Sequence, residues 1–405
     1  MNVLYLMTNF PRWEGDVHSP WAVELIHRLR ARGVHITVCA PAYKGLGDHA
    51  IAGIPVKRFR YAPAPWETLT HESGAPNKIR RNPLYLLLLP GYLLAGGRRV
   101  SSLCKAGRWD AIHVHWPIPQ GFLALAAGAP RGVPLISTFY GADLALVRKY
   151  PLLSPLLQRV VERSVGVTAI SRHTGRILAE LTGRQPTILP YGMDLRRRPA
   201  APASASGAGY GILTVGRLIE RKGHAVLIRA MRRLVERGRE AHLTIIGEGQ
   251  ERPRLEAMIR ELGLTERVQL LGRVPDGELE RAYARCDAFV LPSIVDAGGD
   301  TEGLGMVLLE ALRYERPVIA SALGGITDIV EHERSGLLVP PADPEALAGA
   351  IERLMDDPGL AGRLGEQGRR INAERFDWER ILDAYLALYR GEDPGCGEGG
   401  PVASV

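Results

Sequence analysis

The chain has 405 residues, of which 46% are hydrophobic and 23% are charged. This composition is ordinary for a globular protein, and at roughly 100–200 residues per domain the length predicts two or three domains. The net charge of +7 favours an anionic partner: nucleic acid, anionic lipid or a nucleotide-linked sugar. The absence of a recognised nucleic-acid-binding module and of interleaved basic and aromatic residues argues against nucleic acid.

The cysteines and the N-terminus indicate the compartment. The sequence has 4 cysteines, without CxxC spacing and without a His/Cys cluster of metal-ligand spacing, so no metal site is predicted and a reducing environment is the simplest interpretation. The opening residues, MNVLYLMTNFPRW, lack a basic segment and a cleavage site. No apolar run reaches the roughly 20 residues of a spanning helix. We expect a cytoplasmic protein.

The N-terminal half alternates short apolar runs with longer helical patterns. An amphipathic helix is predicted at 20–32, with Gly33 just after its end. Strands are predicted at 2–7, 34–40, 111–115, 134–139 and 166–171. This alternation predicts βαβ units and a parallel sheet.

Residues 78–108 contain seven basic residues, no acidic residue and an apolar core from Pro83 to Ala95. One interpretation is a peripheral contact with an anionic membrane on the inner face of the plasma membrane, which suits a lipid-linked acceptor. The residues at the headgroups would be Lys78, Arg80, Arg81, Arg98 and Arg99. The alternative is a buried helix pair of the N-terminal domain. The sequence leaves both open.

The alternation of strands and helices stops and restarts in the middle of the chain. Residues 196–209 are rich in Arg, Pro, Ala, Ser and Gly and predict a linker. Strands follow at 210–216, 241–247, 267–271, 287–291 and 317–320, with helices at 223–237, 250–262, 345–355 and 378–390. We predict an α/β protein with domains at 1–191 and 211–370, a linker at 192–210, a C-terminal helix within 371–390 that packs on the N-terminal domain, and a disordered tail at 391–405.

The stretch VGRLIERKG, residues 215–223, places two cations after a predicted strand. Arg217 lies in the turn after Gly216, and Lys222 lies five residues later at the start of the next helix. A diphosphate needs fixed positive charge, which arginine supplies as a rigid fork and lysine as a point charge. The alternative is a pair of solvated basic residues near a helix start.

The stretch TEGLGMVLLEAL, residues 301–312, predicts a helix that begins near Gly305. The N-terminal amides and dipole of that helix would favour a phosphate. Glu310 would then lie in the second turn, where a carboxylate can hold ribose hydroxyls, and Glu302 would precede the helix and could accept hydrogen bonds from a sugar. The alternative is a solvated Glu302 and a surface Glu310.

Two further stretches follow predicted strands. Gly247 and Gly249 end one strand, and the turn from Gly272 to Val274 could present its backbone to a base edge. Pro292 and Ser293 end another strand. Ligands of open α/β sheets collect at such carboxyl ends.

These stretches, in this order and spacing, resemble the retaining glycosyltransferases of family 4. The similarity covers most of residues 211–345. The motifs that carry it are GRL with KG, IIGEG, LLGRV, LPS, EGLGMVLLEAL and SGLLVPPAD. In the N-terminal half, residues 10–40 and LPYGMD at 189–194 are similar, while HVHWPIPQG and STFYGAD look like a subgroup acting on bacterial exopolysaccharides. The resemblance implies the GT-B fold: two doubly wound Rossmann-like domains facing across a cleft, with the acceptor bound by the first.

The resemblance also implies roles for individual residues. Arg217 and Lys222 would bind the donor diphosphate, Glu302 the donor sugar and Glu310 the ribose. Neither a metal nor a cofactor is implied, since the cations and the helix N-terminus neutralise the diphosphate. The remaining donor contacts would come from Gly216, Gly247, Gly272, Arg273, Val274, Pro292, Gly303, Leu304, Gly305, Met306 and Val307.

The acceptor side departs from the family pattern. The motif T-F-H-G-x-D reads Thr-Phe-Tyr-Gly-Ala-Asp here, so Tyr140 replaces a histidine and Asp143 ends the motif. His115 is a rival polar candidate, and we expect either it or His113 to point into packing because they alternate on a strand. Gly15 stands alone where many members have a glycine pair.

The sequence therefore predicts a metal-independent, retaining glycosyltransferase. It would move a sugar from a nucleotide-sugar to a hydroxyl of a glycan or lipid-linked acceptor in cell-surface polysaccharide synthesis. Tyr140 is compatible with this prediction if the leaving phosphate takes the acceptor proton. The alternatives are a nucleotide-sugar-binding protein without catalysis and a nucleotide-sugar epimerase of similar fold.

Overall fold

The computed structural model describes residues 1–16, 19–71, 74–128, 132–196 and 209–394. The chain divides into two compact units, one formed by residues 1–191 with the segment that starts at Glu379, the other by Gly192–Trp378. Residues 197–208 and 395–405 lie outside the described residues, and they include most of the predicted linker, most of the predicted tail and Cys396. The side chain of Arg80 is also outside the description.

The first unit contains an eight-stranded sheet. Its order is β3-β4-β2-β1-β5-β6-β7-β8, and every pair is parallel except β3 with β4. The strands are β1 (Asn2–Leu6), β2 (His35–Pro41), β3 (His49–Ile51), β4 (Ile54–Phe59), β5 (Ala111–His115), β6 (Leu135–Phe139), β7 (Gly166–Ala169) and β8 (Thr187–Ile188). The helices are α1 (Pro20–Ala31), α2 (Ala75–Arg81), α3 (Leu89–Ala106), α4 (Pro117–Ala126), α5 (Ala142–Lys149), α6 (Ser154–Arg163) and α7 (Arg172–Thr182).

The second unit contains a six-stranded sheet, entirely parallel, in the order β11-β10-β9-β12-β13-β14. The strands are β9 (Tyr210–Val215), β10 (Ala241–Ile246), β11 (Val268–Gly272), β12 (Ala288–Leu291), β13 (Val318–Ser321) and β14 (Leu337–Val339). The helices are α8 (His224–Glu236), α9 (Arg252–Glu261), α10 (Asp276–Arg285), α11 (Met306–Arg313), α12 (Ile326–Ile329), α13 (Pro344–Asp356) and α14 (Pro358–Arg375).

The strand orders confirm the predicted fold class of two parallel α/β units. Strands β12 and β13 are buried over their whole length because helices cover both sheet faces, which explains their nearly continuous apolar sequence. The order reverses between β9 and β12 in the second unit and between β1 and β5 in the first. In folds of this kind, ligands bind outside the carboxyl ends of the strands at such a reversal.

The last helix, α15 (Trp378–Arg390), contributes to the first unit from Glu379 onward. The hydroxyl of Tyr389 lies 2.5 Å from the hydroxyl of Tyr5 on β1 and 2.9 Å from His113 Nδ1 on β5. Tyr389 is 1% exposed. The C-terminal helix therefore packs on the sheet of the N-terminal unit through a buried polar contact.

The segment 78–108 forms the end of α2, a 3₁₀ turn at Pro83–Leu88 and α3. One side of α3 is buried, with Tyr92 and Val100 in the core of the first unit. The opposite side exposes leucines of the turn and of the start of α3: Leu84, Leu86, Leu87, Leu93 and Leu94. Neither sequence interpretation describes the whole segment, because it is half buried and half exposed.

Two of the basic residues assigned to headgroups are engaged within the protein. Lys78 is buried and donates to the carbonyl of Thr68 at 2.6 Å, and Arg99 pairs with Asp48 at 2.5 Å. Placing Lys78 at a membrane was therefore wrong, whereas the partly exposed Arg99 stays a prediction. In the described part of the chain, no helix is both long and apolar enough to cross a membrane.

Candidate active site

The loop after β9 passes very close to the end of the neighbouring strand β10. Gly216 donates its N–H to the carbonyl of Ile246, and Gly247 has φ of +146°. A Cβ at Gly247 would lie 1.9 Å from the carbonyl oxygen of Gly216. Only glycine permits this approach, so the glycine at the end of β10 fixes the loop that carries Arg217.

Lys222 and Glu302 form a buried ion pair at this loop. Lys222 Nζ lies 2.6 Å from Glu302 Oε2, and the two residues are 8% and 7% exposed. The carboxylate also accepts from Arg221 at 3.2 Å and from the hydroxyl of Ser293 at 3.4 Å. Because Lys222 follows β9 and Glu302 follows β12, the reversal of strand order brings them together.

The ion pair determines the ionisation of Glu302. Burial alone would raise the pKa of Glu302, but the charges of Lys222 and Arg221 outweigh it and bring the pKa to about 2. Burial lowers the pKa of Lys222, and Glu302 opposes that effect. Glu302 is thus an anion at neutral pH and is suited to accept hydrogen bonds, not to act as an acid.

Arg217 has a different environment. Its side chain is exposed, and among the described residues no hydrogen bond or ion pair engages its guanidinium. Its backbone carbonyl accepts the N–H of Ile219 at 2.9 Å and lies 3.3 Å from His224 Nε2. The site therefore combines one cation held by a carboxylate with a second cation whose guanidinium has no hydrogen-bond or ion-pair partner among the described residues.

Glu310 lies on α11, which begins after Gly305 in the left-handed conformation at φ of 92°. The first-turn amides of a helix lack intrahelical acceptors, so those of Met306 and Val307 can donate to an anion. The hydroxyl of Tyr283 donates to Glu310 Oε2 at 2.5 Å. Burial raises the pKa of Glu310, and the bond from Tyr283 opposes this.

Tyr283 is a functional candidate that the sequence did not indicate. It lies on α10, is 2% exposed and fixes one oxygen of Glu310, which leaves the other for a ligand. In the sequence, a tyrosine on the apolar side of an amphipathic helix is indistinguishable from an ordinary core residue. Its partner is 27 positions away, so no local pattern joins them.

Replacing Tyr283 with phenylalanine is expected to raise KM for the donor about 3–10-fold with little change in kcat, because one hydrogen bond that orients Glu310 is worth about 0.5–1.5 kcal/mol. Steady-state kinetics with varied donor measures this. Tyr314 is the matched control, because its ring stacks on that of Tyr283 at 6.1 Å. If Tyr314→Phe raises KM as much as Tyr283→Phe, the effect is one of packing and the assignment is wrong.

The other residues predicted on the donor side lie around the same strand ends. Gly272 ends β11 and accepts the N–H of Gly247 at 2.8 Å through its carbonyl, and Arg273 after it is exposed. Pro292 is buried after β12, and its carbonyl oxygen would lie 1.8 Å from a Cβ at Gly223. Glycine at 223 is therefore required for Lys222 to reach the end of β12.

Tyr140 and His115 are in contact in the first unit. The Tyr140 hydroxyl lies 2.6 Å from His115 Nδ1, and both side chains are buried. Burial lowers the pKa of His115 to about 3 and raises that of Tyr140 well above its usual value. Neither group gains or loses a proton near neutral pH, so neither acts as a general base.

His113 does point into packing, as one of the two histidines was expected to, but the premise that His113 and His115 alternate was wrong. Residues two apart on a strand point to the same side, and the two rings lie 4.0 Å apart. Both are fully buried. His113 contacts the hydroxyls of Thr138 at 2.7 Å and Tyr389 at 2.9 Å, so its role is to join β5, β6 and α15.

Asp143 and Gly15 have unequal environments. Asp143 is 3% exposed, and its Oδ1 accepts the N–H groups of Tyr140, Gly141 and Leu144 at 3.3, 3.0 and 3.1 Å. Its Oδ2 has no partner among the described residues. Gly15 lies in an exposed turn at φ of 78° with open space around its Cβ position.

Replacing Asp143 with asparagine is expected to stabilise the protein above pH 7. Burial raises the pKa of Asp143 from 3.8 to about 7. The folded state then holds a proton that the unfolded state releases, so wild-type stability falls as pH rises from about 4 to 7. The asparagine oxygen can keep the three backbone hydrogen bonds. Melting temperatures of both proteins should match near pH 4 and diverge by pH 7; parallel curves would contradict the raised pKa.

Comparison with known proteins agrees with this architecture. Residues 205–371 match the family described as "Glycosyl transferases group 1", and residues 21–197 match "Glycosyltransferase Family 4". The first range covers the cationic loop and both glutamates, and the second covers His115 on β5 and Tyr140 just after β6. Two parallel-sheet units with this site define a GT-B glycosyltransferase.

Individual relatives agree with the assignment. The chain is 27% identical over 403 residues to a "GDP-mannose-dependent alpha-(1-6)-phosphatidylinositol monomannoside mannosyltransferase" of Mycobacterium tuberculosis, covering 96% of this chain and 98% of the relative. It is 31% identical over 339 residues to a "D-inositol 3-phosphate glycosyltransferase" of Salinispora arenicola, covering 74% and 73%. A sucrose-phosphate synthase structure from Thermosynechococcus elongatus has the same fold, with a TM-score of 0.77 at 23% identity over 96% of this chain and 98% of that one. The chain belongs to glycosyltransferase family 4 and uses a nucleotide-sugar donor.

Proposed function

We propose that this glycosyltransferase moves a sugar with retention of configuration to a hydroxyl of a glycan or lipid-linked acceptor in cell-surface glycan synthesis. The observation that carries the proposal is the cationic loop at the end of β9, with Lys222 paired to Glu302 and Arg217 exposed. The Mycobacterium tuberculosis relative is named for a phosphatidylinositol-linked acceptor, which supports the lipid-linked class.

The proposed chemistry places the leaving-group charge on the two cations. As the bond between the donor sugar and the diphosphate breaks, negative charge develops on the diphosphate, and Arg217 and Lys222 stabilise it. Lys222 has three N–H donors, so it can keep its bond to Glu302 while it donates to a phosphate oxygen. Glu302, ionised throughout, accepts from hydroxyls of the donor sugar.

The proposed route for the acceptor proton uses no protein base. His115 and Tyr140 are unsuitable because of their shifted pKa values. The acceptor oxygen would attack from the side that the diphosphate leaves, and the departing phosphate oxygen would take the hydroxyl proton. One carbon–oxygen bond breaks and one forms on the same face, which gives retention. No metal is needed for this route, because cations of the protein and the amides of α11 neutralise the diphosphate.

The direct test is incubation of the purified chain with UDP-, GDP- and ADP-sugars and a membrane extract as the source of acceptors. We expect one donor class to be consumed and the product to carry the anomeric configuration of the donor, as seen in the NMR coupling of the anomeric proton. A product of opposite configuration would exclude retention. An isomerised donor would indicate an epimerase, and binding without turnover would indicate a binding protein.

We also propose that the exposed leucine side of 78–108 contacts an anionic membrane. Leu84, Leu87 and Leu94 are 58%, 75% and 60% exposed, and the exposed Arg81 and Arg98 precede and follow them in the chain. Apolar side chains flanked by arginines match the boundary between acyl chains and anionic headgroups. This arrangement would bring the enzyme to a lipid-linked acceptor.

Liposome flotation tests this contact. Changing Arg81 and Arg98 to Glu is expected to reduce the fraction bound to phosphatidylglycerol vesicles at least tenfold, because each cation near such a surface contributes about 1 kcal/mol. Arg229→Glu with Arg260→Glu is the charge-matched control, because both side chains are exposed on the second unit. Equal loss in both double variants would indicate a net-charge effect and contradict a specific contact.

A further inference from the structure

The loop between β12 and α11 carries Glu302 and has an exposed tip. We call residues 294–302 the β12 loop. Residues 297–299 are exposed, and Val295 is 56% exposed. Because this tip buries little apolar surface, packing alone does not fix it. Contacts at the two ends of the β12 loop therefore determine where the side chain of Glu302 lies.

Arg221 contacts both ends of the β12 loop. Its backbone carbonyl accepts the N–H of Ile294 at 2.8 Å, at the start of the loop. At the end of the loop, its Nη1 donates to the carbonyl of Thr301 at 3.3 Å and to Glu302 Oε2 at 3.2 Å. Its Nε lies 3.5 Å from Asp300 Oδ2. One arginine, with only 15% of its side chain exposed, therefore joins the first and the last residues of the loop.

The backbone of Glu302 has a separate support. Its carbonyl accepts the N–H of Gly325 at 2.9 Å. A Cβ at Gly324, where φ is +56°, would lie 2.2 Å from the same carbonyl oxygen, so glycine is required for this approach. These contacts fix the point at which the β12 loop ends. The contacts of Arg221 fix the residues before that point and the carboxylate itself.

The contacts of Arg221 differ from those of the other two cations in the loop after β9. The guanidinium of Arg217 has no hydrogen-bond or ion-pair partner among the described residues. Lys222 uses one of its three N–H donors for Glu302. Arg221 instead directs Nε and Nη1 at three oxygens of the β12 loop. A guanidinium engaged in this way is suited to join two loops of the protein.

We propose that Arg221 is a positioning residue that fixes the β12 loop, and with it the carboxylate of Glu302, and that it does not bind the diphosphate. The inference rests on the proposed function, in which Glu302 accepts from hydroxyls of the donor sugar. A carboxylate displaced by about 1 Å would orient the sugar poorly and lower the transfer rate up to about 100-fold. Binding of a nucleoside diphosphate, to which Arg217 and Lys222 contribute, would be unaffected.

Arg221 also affects the ionisation of Glu302. The cations that face this carboxylate are Lys222, Arg221 and Arg217, all in the loop after β9. Asp300, in the β12 loop, is the nearby anion. Burial alone would raise the pKa of Glu302, but the cations outweigh that effect and bring the pKa to about 2. Without the charge of Arg221 this pKa would be higher, so Glu302 would take up a proton at a higher pH than in the wild type.

Arg221→Gln tests the positioning role through kinetics and binding. We expect kcat for sugar transfer to fall about 10–100-fold. The Kd of the best-bound nucleotide among UDP, GDP and ADP, measured by calorimetry, should change less than about threefold. Arg217→Ala, measured in parallel, should weaken that binding at least about tenfold, because it removes a charge-assisted contact. Arg229→Gln is the charge-matched control, since Arg229 is an exposed arginine on α8, and it should match the wild type.

The pH profile separates the charge of Arg221 from its geometry. The ratio of the Arg221→Gln kcat to the wild-type kcat should fall below about pH 5, because Glu302 becomes protonated in the variant first. Arg221→Lys keeps the charge but lacks the planar fork. Its ratio should therefore stay constant with pH, while its kcat recovers only in part. A ratio for Arg221→Gln that is the same at every pH would overturn the proposal.

Hydrogen exchange followed by mass spectrometry tests the β12 loop without any substrate. Peptides that cover 294–302 should exchange at least about tenfold faster in Arg221→Gln than in the wild type. Peptides from β9, β12 and β13 should be unchanged, which shows that the variant is folded. Unchanged exchange of the loop, or nucleotide binding weakened as much as in Arg217→Ala, would refute the positioning role. A wild type that transfers no sugar would refute the proposed function instead, and the exchange measurement would still decide the role of Arg221.

Discussion

Replacing Arg217 with alanine is expected to lower kcat/KM for sugar transfer about 10²–10³-fold and to leave the melting temperature unchanged. Removing one preorganised donor from a site of developing negative charge typically has a rate effect of this size. The guanidinium is exposed and forms no hydrogen bond or ion pair with a described side chain, and exposed substitutions change the unfolding free energy by about 0.5 kcal/mol or less. The functional and structural effects of Arg217 are thus separable.

Arg229→Ala is the matched control for this prediction. Arg229 is an exposed arginine on α8 in the same unit, and it should retain wild-type kinetics and stability. Transfer and melting are measured on both variants with the preferred donor. Wild-type activity in Arg217→Ala would contradict the assignment of this side chain to the diphosphate.

Replacing Glu302 with glutamine is expected to abolish detectable transfer and to destabilise the protein by about 3–5 kcal/mol. Removing one partner of a buried ion pair leaves an uncompensated charge, here the ammonium of Lys222, which is 8% exposed. The folded pKa of about 2 lies below the usual 4.5, so the ionised carboxylate contributes stability above pH 4.5 that is lost as pH falls toward 2. The variant should lack that acid dependence.

Asp300→Asn is the control for Glu302→Gln. Asp300 lies 3.5 Å from Arg221 with 43% of its side chain exposed, so its ion pair is worth about 1 kcal/mol at most. Chemical unfolding at pH 7 and at pH 4 measures both variants. If the two variants lose the same unfolding free energy, the ion pair of Lys222 with Glu302 is not the dominant contact of the loop after β9.

The donor side could be predicted from sequence because its residues lie in loops directly after buried strands. Strands β9 and β12 are short apolar runs, and the glycines and charges after them form recognisable local patterns. The pairing of Lys222 with Glu302 could not be predicted, because it depends on which strands are neighbours. Tyr283 was missed for the same reason: its partner Glu310 lies on a different helix.

The first unit was less predictable. Trp21 and Tyr191 are 170 positions apart in the sequence, and only the sheet order brings them within 4.7 Å. The burial of Lys78 could not be predicted for a different reason. The pattern of charges in the sequence suggests a solvated cation, but it does not reveal that the backbone carbonyl of Thr68 lies within reach as a hydrogen-bond acceptor. Strands β3 and β4 were also missed, because their short, partly polar sequences lack a clear alternation.

Calorimetric titration of nucleotides shows whether Arg217 and Lys222 bind the diphosphate of the donor. UDP, GDP and ADP are each compared with the corresponding nucleoside on the wild type and on the Arg217→Ala, Lys222→Ala double variant. We expect one diphosphate to bind at least a hundredfold more tightly than its nucleoside in the wild type, and this difference to fall below about tenfold in the double variant, since each charge-assisted contact contributes about 1.5–3 kcal/mol. A folded double variant that keeps the full preference for the diphosphate would contradict the assignment of Arg217 and Lys222 to the donor diphosphate.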